Sequence, residues 1–303
     1  MVLRLVPTDF LTVQAAIDAS SSGDSIKILA GKFDGFEVDV DNLKIFGCGI
    51  GRTIIEGAPA QGSDDGVVVI SDRITLQDFT IQGFPDEGVR INTNFNVLKN
   101  IESKLNIGSG IQLIGDNNLI IECSILMNRD DGFNISPGQN NCILKCESNV
   151  NDGTGYSFSN VNNKLLLSTA KENIDDGLLI NDSFNTIIGN ISNKNNARGI
   201  LVGAGDGNNN IIKNLTCNNS GSGIEIEDGA FVNAIDSNIA RNNGTDVTDA
   251  GILIEDSAAD NTIRFNEAKN NFEFDIEAIP PADTANTFDG NKCGNSSPPG
   301  LCT

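Results

Sequence analysis

A glycine followed by apolar, any residue, apolar recurs at Gly66, Gly88, Gly110, Gly132, Gly155, Gly177, Gly199, Gly223 and Gly251. The intervals are 22, 22, 22, 23, 22, 22, 24 and 28 residues. A period near 22 is too short for repeating pairs of helices, and the alternation inside each unit has the period of two that marks a strand. The pattern therefore predicts stacked coils of β structure, each burying its apolar side against its neighbours.

Period-two geometry assigns the faces. Val67, Val89, Ile111, Phe133, Tyr156, Leu178, Ile200, Ile224 and Ile252 form one inward column, and the residues two further on, Val69 to Ile254, form a second. Between them Val68, Arg90, Gln112, Asn134, Ser157, Leu179, Leu201, Glu225 and Leu253 are expected to face solvent. Asn96, Asn118, Asn163, Asn185, Asn233 and Asn261 introduce a second strand. Asn106, Asn128, Asn151, Asn173, Asn195, Asn242 and Asn270 close the coil. Asparagines at one position in successive coils can hydrogen-bond along the stack and satisfy backbone groups at the turns.

The fold class that follows is all-β: a single-stranded right-handed parallel β-helix of about 22 residues per coil. Residues 12–19 read as a short helix, with Thr12 as N-cap, that covers the first coil. One domain is expected, with a cap and opening coils over residues 1–65, regular coils over 66–278 and a tail over 279–303. Residues 272–276 read as the last strand.

Composition narrows the chemistry. A net charge of −21 argues against nucleic acid, and no run is apolar enough to insert in a membrane. Histidine is absent, which removes Ser-His-Asp, Cys-His and zinc schemes. The single tyrosine falls on an inward column. Of seven cysteines, Cys293 and Cys302 stand in the tail, where they can close a loop under oxidising conditions. The opening residues carry no secretory signal pattern.

Residues 12–31, the Leu43-Lys-Ile-Phe-Gly-Cys-Gly49 and Thr53-Ile-Ile-Glu-Gly57 segments, the coils, and the tail from Asn291-Lys-Cys293 to Pro298-Pro-Gly-Leu-Cys302 resemble bacterial proteins of the pectin-lyase-like β-helix superfamily. The resemblance implies the fold over nearly the whole chain. It also implies polysaccharide as the usual ligand class, held in a groove along one parallel sheet. It does not extend to active-site motifs. The Gly-His-Gly and Arg-Ile-Lys elements of polygalacturonases are missing, as are the histidine or exposed tyrosine of alginate-type enzymes.

Carboxylates cluster just before the repeated glycine: Asp64-Asp65, Asp86-Glu87, Asp130-Asp131 and Asp175-Asp176. Aspartate before glycine is good turn chemistry on its own. As a catalytic set, Asp130 and Asp131 with Asp175 and Asp176 would lie two coils apart, ~9.6 Å along the stack, near the wide end of the separations used in inverting glycoside hydrolysis. Arg90, Gln112, Asn134 and Arg198 would bind the sugar. Asp64, Asp65, Asp86 and Glu87 form a candidate Ca²⁺ set, although no cofactor is required by the pattern. The apolar line Leu179, Leu201 and Leu253 reads as a contact surface and allows a homo-oligomer. These features point first to a protein at a cell, spore or virion surface that binds glycan or self-assembles. The alternative is a polysaccharide hydrolase or Ca²⁺-dependent lyase using the acidic column.

Overall fold

The computed structural model describes residues 1–303, which divide into two compact units, Met1–Asp152 and Gly153–Thr303. Each is built from the same coil. In the first unit, Phe36–Val38, Val67–Val69, Val89–Ile91, Ile111–Leu113 and Phe133–Ile135 pair in parallel, strand to strand. In the second, Tyr156–Phe158, Leu178–Ile180, Ile200–Val202, Ile224–Ile226, Ala250–Ile254 and Phe274–Ala278 do the same, and Ser296–Ser297 closes the series. We call this the first sheet of each unit. The rest of each coil contributes two further short strands, such as Thr186–Ile188 and Ile191–Asn193, or one longer strand, as in Thr75–Gln82 and Val97–Lys104, and these also stack in parallel.

Both inward columns are buried as the alternation predicts. Tyr156 belongs to the core, and its hydroxyl donates to the Thr169 carbonyl at 3.2 Å. Each large apolar side chain removed from water contributes roughly 1.5–3 kcal/mol. The columns therefore carry most of the stability of a coil.

Three corners turn each coil, and each corner has one residue in the left-handed region. In the second unit these are Asn208, Lys213 and Asn218, then Val232, Ser237 and Asn242, then Asp260, Phe265 and Asn270. The residue after each corner points inward and stacks. Two such ladders match the asparagines read from the sequence, but at the third corner the closing ladder runs through Asn243 and Asn271. Asn242 and Asn270 are instead the left-handed residues one position earlier. A further ladder was not anticipated. Asn190, Asn214, Asn238, Asn266 and Asn291 are buried, and each Oδ1 after the first accepts from the backbone N–H and side-chain amide of the asparagine one coil earlier. In the first unit the same slot holds Phe79, Ile101, Cys123 and Cys146, and the Cys146 Sγ accepts from the Cys123 N–H at 3.4 Å.

The ends are closed differently. The helix Val13–Asp18 buries Val13, Ala16 and Ile17, and the Thr12 hydroxyl accepts from the Ala15 N–H as an N-cap. At the far end, a Cys293–Cys302 disulfide ties the tail, and Leu301 is buried beneath it. The strand expected at residues 272–276 runs over Phe274–Ala278.

The outward column is less open than alternation alone suggests. Val68, Leu201 and Leu253 are 4%, 4% and 3% exposed. In-register stacking sets Val68 between Glu37 and Arg90, Leu201 between Leu179 and Glu225, and Leu253 between Glu225 and Glu277. Neighbouring stems about 4.8 Å away cover the smaller side chains. The expected apolar contact line at Leu179, Leu201 and Leu253 is therefore corrected: only Leu179 remains partly open.

Candidate functional site

Each unit carries one arginine among carboxylates on its first sheet. In the first, Arg90 is the middle residue of Val89–Ile91. Its Nε lies 3.1 Å from Asp65 Oδ2, and one terminal nitrogen lies 2.8 Å from Glu87 Oε2 and 3.3 Å from Asp86 Oδ2. The Nε contact is an ion pair without hydrogen-bond alignment. Asp65 is fully buried. Its Oδ1 accepts from the Glu87 N–H at 3.1 Å, and the Ser63 hydroxyl donates to its other oxygen. Burial, followed by the neighbouring Asp65, pushes Glu87 up to about 7 against the pull of Arg90. The carboxylates of Asp65, Asp86 and Glu87 lie within 4.8 Å of one another, a donor set of the kind a hard divalent cation takes. Arg90 already stands among them, so an entering cation must displace the guanidinium. Asp64 is exposed and lies outside the cluster.

Gln112 and Asn134 continue the Arg90 column in register, and the Gln112 Oε1 is buried without a hydrogen-bond partner. Asp130 is exposed and accepts from the Ser109 hydroxyl at 3.0 Å. The Asp131 carbonyl accepts from the Gly110 N–H.

In the second unit the corresponding aspartate is Asp176, whose Oδ1 accepts from the Arg198 N–H at 2.8 Å. The carboxylate before the glycine thus holds the backbone of the next coil here as Asp65 does in the first unit. The Arg198 side chain, however, is loosely held. Its Nε is 3.5 Å from Asp176 Oδ1 and 3.8 Å from Glu225 Oε2, and a terminal nitrogen is 3.7 Å from Glu227 Oε1. The buried Nε makes no hydrogen bond. Burial pushes Asp176 up to about 6 and Glu225 up to about 7, in both cases against the pull of Arg198. Burial and then Asp182 raise Asp206 to about 6. Asp175 is exposed beside them.

One shallow depression opens over this arginine, and a second lies beside it, sharing Glu225 and Glu255. One is lined by polar side chains including Asn196, Arg198, Ser220, Glu225, Thr245 and Glu255, with Leu253 among them. The other is lined by Ala204, Glu225, Glu227, Asp228 and Glu255. Of the expected residues, the structure brings Asp176 and Arg198 together here. Asp65, Asp86, Glu87 and Arg90 meet in the first unit. The expected catalytic quartet is divided, with Asp130 and Asp131 in one unit and Asp175 and Asp176 in the other.

The glutamates Glu227 and Glu255 were missed. Their signal was a matching pair of segments, Ile224-Glu-Ile-Glu-Asp228 and Ile252-Leu-Ile-Glu-Asp256, 28 residues apart.

The family model described as "Right handed beta helix region" matches residues 65–216 and 162–301, well over half of the chain. The chain belongs to this right-handed β-helix family. The expected pectin-lyase-like fold is borne out by solved structures as well. The A-module of the Azotobacter vinelandii mannuronan C-5 epimerase AlgE6 aligns with a TM-score of 0.81 at 16% identity, covering 94% of this chain and 92% of that one. Pectate lyase Pel9A aligns with a TM-score of 0.52 at 18% identity, covering 85% and 73%. The Dettilon tailspike protein aligns with a TM-score of 0.58 at 17% identity, covering 81% and 57%. At these identities the likeness is one of fold. A search of curated protein sequences finds no match. No helix of this β-helix chain is long and apolar enough to cross a membrane.

Proposed function

We propose that the protein is a glycan-binding β-helix of a cell, spore or virion surface, with the Arg198 face of the second unit as its binding site. The observation that supports this best is the open polar depression around Arg198, in which amide, hydroxyl, carboxylate and guanidinium groups converge. A polyhydroxylated ligand can exchange hydrogen bonds with every one of these groups. Fold relatives named for action on mannuronan and pectate, and a tailspike, make a carbohydrate the natural class to test. A disulfide suits an oxidising compartment.

Charge sets the preference among glycans. Arg198 is outnumbered by Asp176, Glu225, Glu227, Asp228 and Glu255, within a chain of net charge −21. Neutral or amino-bearing polymers are favoured, whereas polyuronates would need Ca²⁺ between the two sets of carboxylates. Affinity measurements on neutral, amino-sugar and polyuronate polymers, with and without Ca²⁺, test this. Binding of a neutral or amino polymer that weakens roughly tenfold in Arg198→Met supports the reading. No binding to any of the three classes overturns it.

One observation favours a second reading, a hydrolase. Asp176 and Glu225 both lie against the Arg198 Nε and are held near neutral proton affinity, as a proton-donating carboxyl requires. Release of new reducing ends, abolished in Glu225→Gln with binding retained, would establish it.

A further inference from the structure

We propose that the Cys293–Cys302 disulfide is a redox-releasable latch on strand Ser296–Ser297 of the second unit's first sheet. The segment between these cysteines contains that strand, which pairs with Ile276 and Glu277 of Phe274–Ala278. Ser297 stands in register with Glu277, in the same outward column as Glu225 and Leu253.

Few other bonds hold the loop. The Gly294 N–H donates to Asp275 Oδ2 at 2.7 Å, and the Asn295 side chain bridges from the Asp275 N–H to the Glu273 carbonyl. At the other end, the Thr303 N–H donates to the Asn291 carbonyl at 2.9 Å, and Leu301 is buried. Asn291 is the last rung of the ladder that begins at Asn190, and its amide reaches the Ile263 and Leu301 carbonyls. The loop thus covers both the Asn291 rung of a buried polar ladder and the edge of the first sheet. Only a two-residue strand and a handful of hydrogen bonds would hold it without the covalent tie.

A dithiol reductant releases the latch. Two electrons and two protons pass to the two Sγ atoms, the S–S bond breaks, and the reductant leaves as its own disulfide. Residues 291–303 then open more often, because a closed loop of this size is restrained chiefly by its cross-link. The effect on ligand binding rests on the glycan reading above; the latch itself does not.

Hydrogen exchange on the full chain, oxidised and after dithiothreitol treatment, tests it. Exchange across residues 291–303 should rise roughly tenfold or more, with the strands from Leu178–Ile180 to Ile224–Ile226 unchanged. The Cys293→Ser, Cys302→Ser variant should show the fast exchange without reductant and no response to it, although five other thiols remain. Unchanged exchange with both thiols shown by alkylation to be free overturns the latch. Faster exchange in a protein that binds no glycan sustains the latch and overturns only the binding reading.

Discussion

The Arg90 and Arg198 clusters begin from one plan and end in different states. In each, an aspartate before the repeated glycine accepts the backbone N–H one coil onward, and an arginine reaches the same carboxylate. Arg90 lies within 3.3 Å of three carboxylates, one of them fully buried, so its charge is spent inside the protein. Arg198 stands 3.5–3.8 Å from its three acids beneath an open depression. The difference teaches that a shared arginine-carboxylate motif on this sheet can serve either as a structural pin or, as proposed for Arg198, as a group left open to a ligand. Contact distance separates the two roles.

The strongest way to break this contrast is Arg90→Met. It leaves Asp65 and Glu87 without their counter-charge, and a cost of about 3–5 kcal/mol is expected in urea unfolding. Arg198→Met should cost roughly 1–2 kcal/mol while weakening ligand binding. Equal losses would remove the distinction.

Next comes pH. Glu225 and Asp176 have folded-state proton affinities raised above their ordinary values, so the folded state holds more protons than the unfolded state between about pH 4 and 7. Stability should therefore be fully present below that window and fall by several kcal/mol as pH rises through it. Glu225→Gln should flatten the upper part of the fall, as read by melting temperature against pH.

A smaller effect is expected for Ca²⁺. With Arg90 in place, millimolar Ca²⁺ should add less than about 1 kcal/mol, and Arg90→Met should respond more strongly because its carboxylates are vacated. The smallest is Asp130→Asn, at an exposed site, with a change within about 0.5 kcal/mol.

Much of this architecture was legible in the sequence. The inward columns could be read because burial enforces period two within a strand and a near-constant repeat between coils. Tyr156 was placed by the same logic, and Thr12 by the capping chemistry of a short helix. The asparagine ladder from Asn190 was hidden because its slot in the first unit holds Phe79, Ile101 and two cysteines, and a thiol can accept the same backbone N–H. The closing ladder was misread by one residue at Asn243 and Asn271, where its spacing is 24 and then 28 residues. That lengthening also concealed Glu227 and Glu255, since a fixed 22-residue frame does not superpose them. Val68, Leu201 and Leu253 defeated the alternation rule for another reason: exposure depends on how long the neighbouring side chains are, which spacing does not encode.

The steady five-residue step between successive left-handed corners, as in Asn208, Lys213 and Asn218 or Asp260, Phe265 and Asn270, has a further consequence. Where coils grow from 22 to 24 and 28 residues, the additions fall outside those steps. They lie in residues 203–207 and 227–231, each just after a strand of the first sheet, and in residues 244–249, just before another. Thr245, Thr248 and Asp249 of the last addition line the depression over Arg198. Variation in length is thereby channelled to the rim of a single face, while the buried rungs keep their places. A lineage, or an engineer, can remodel the walls of that depression by insertion and leave the stacking frame untouched.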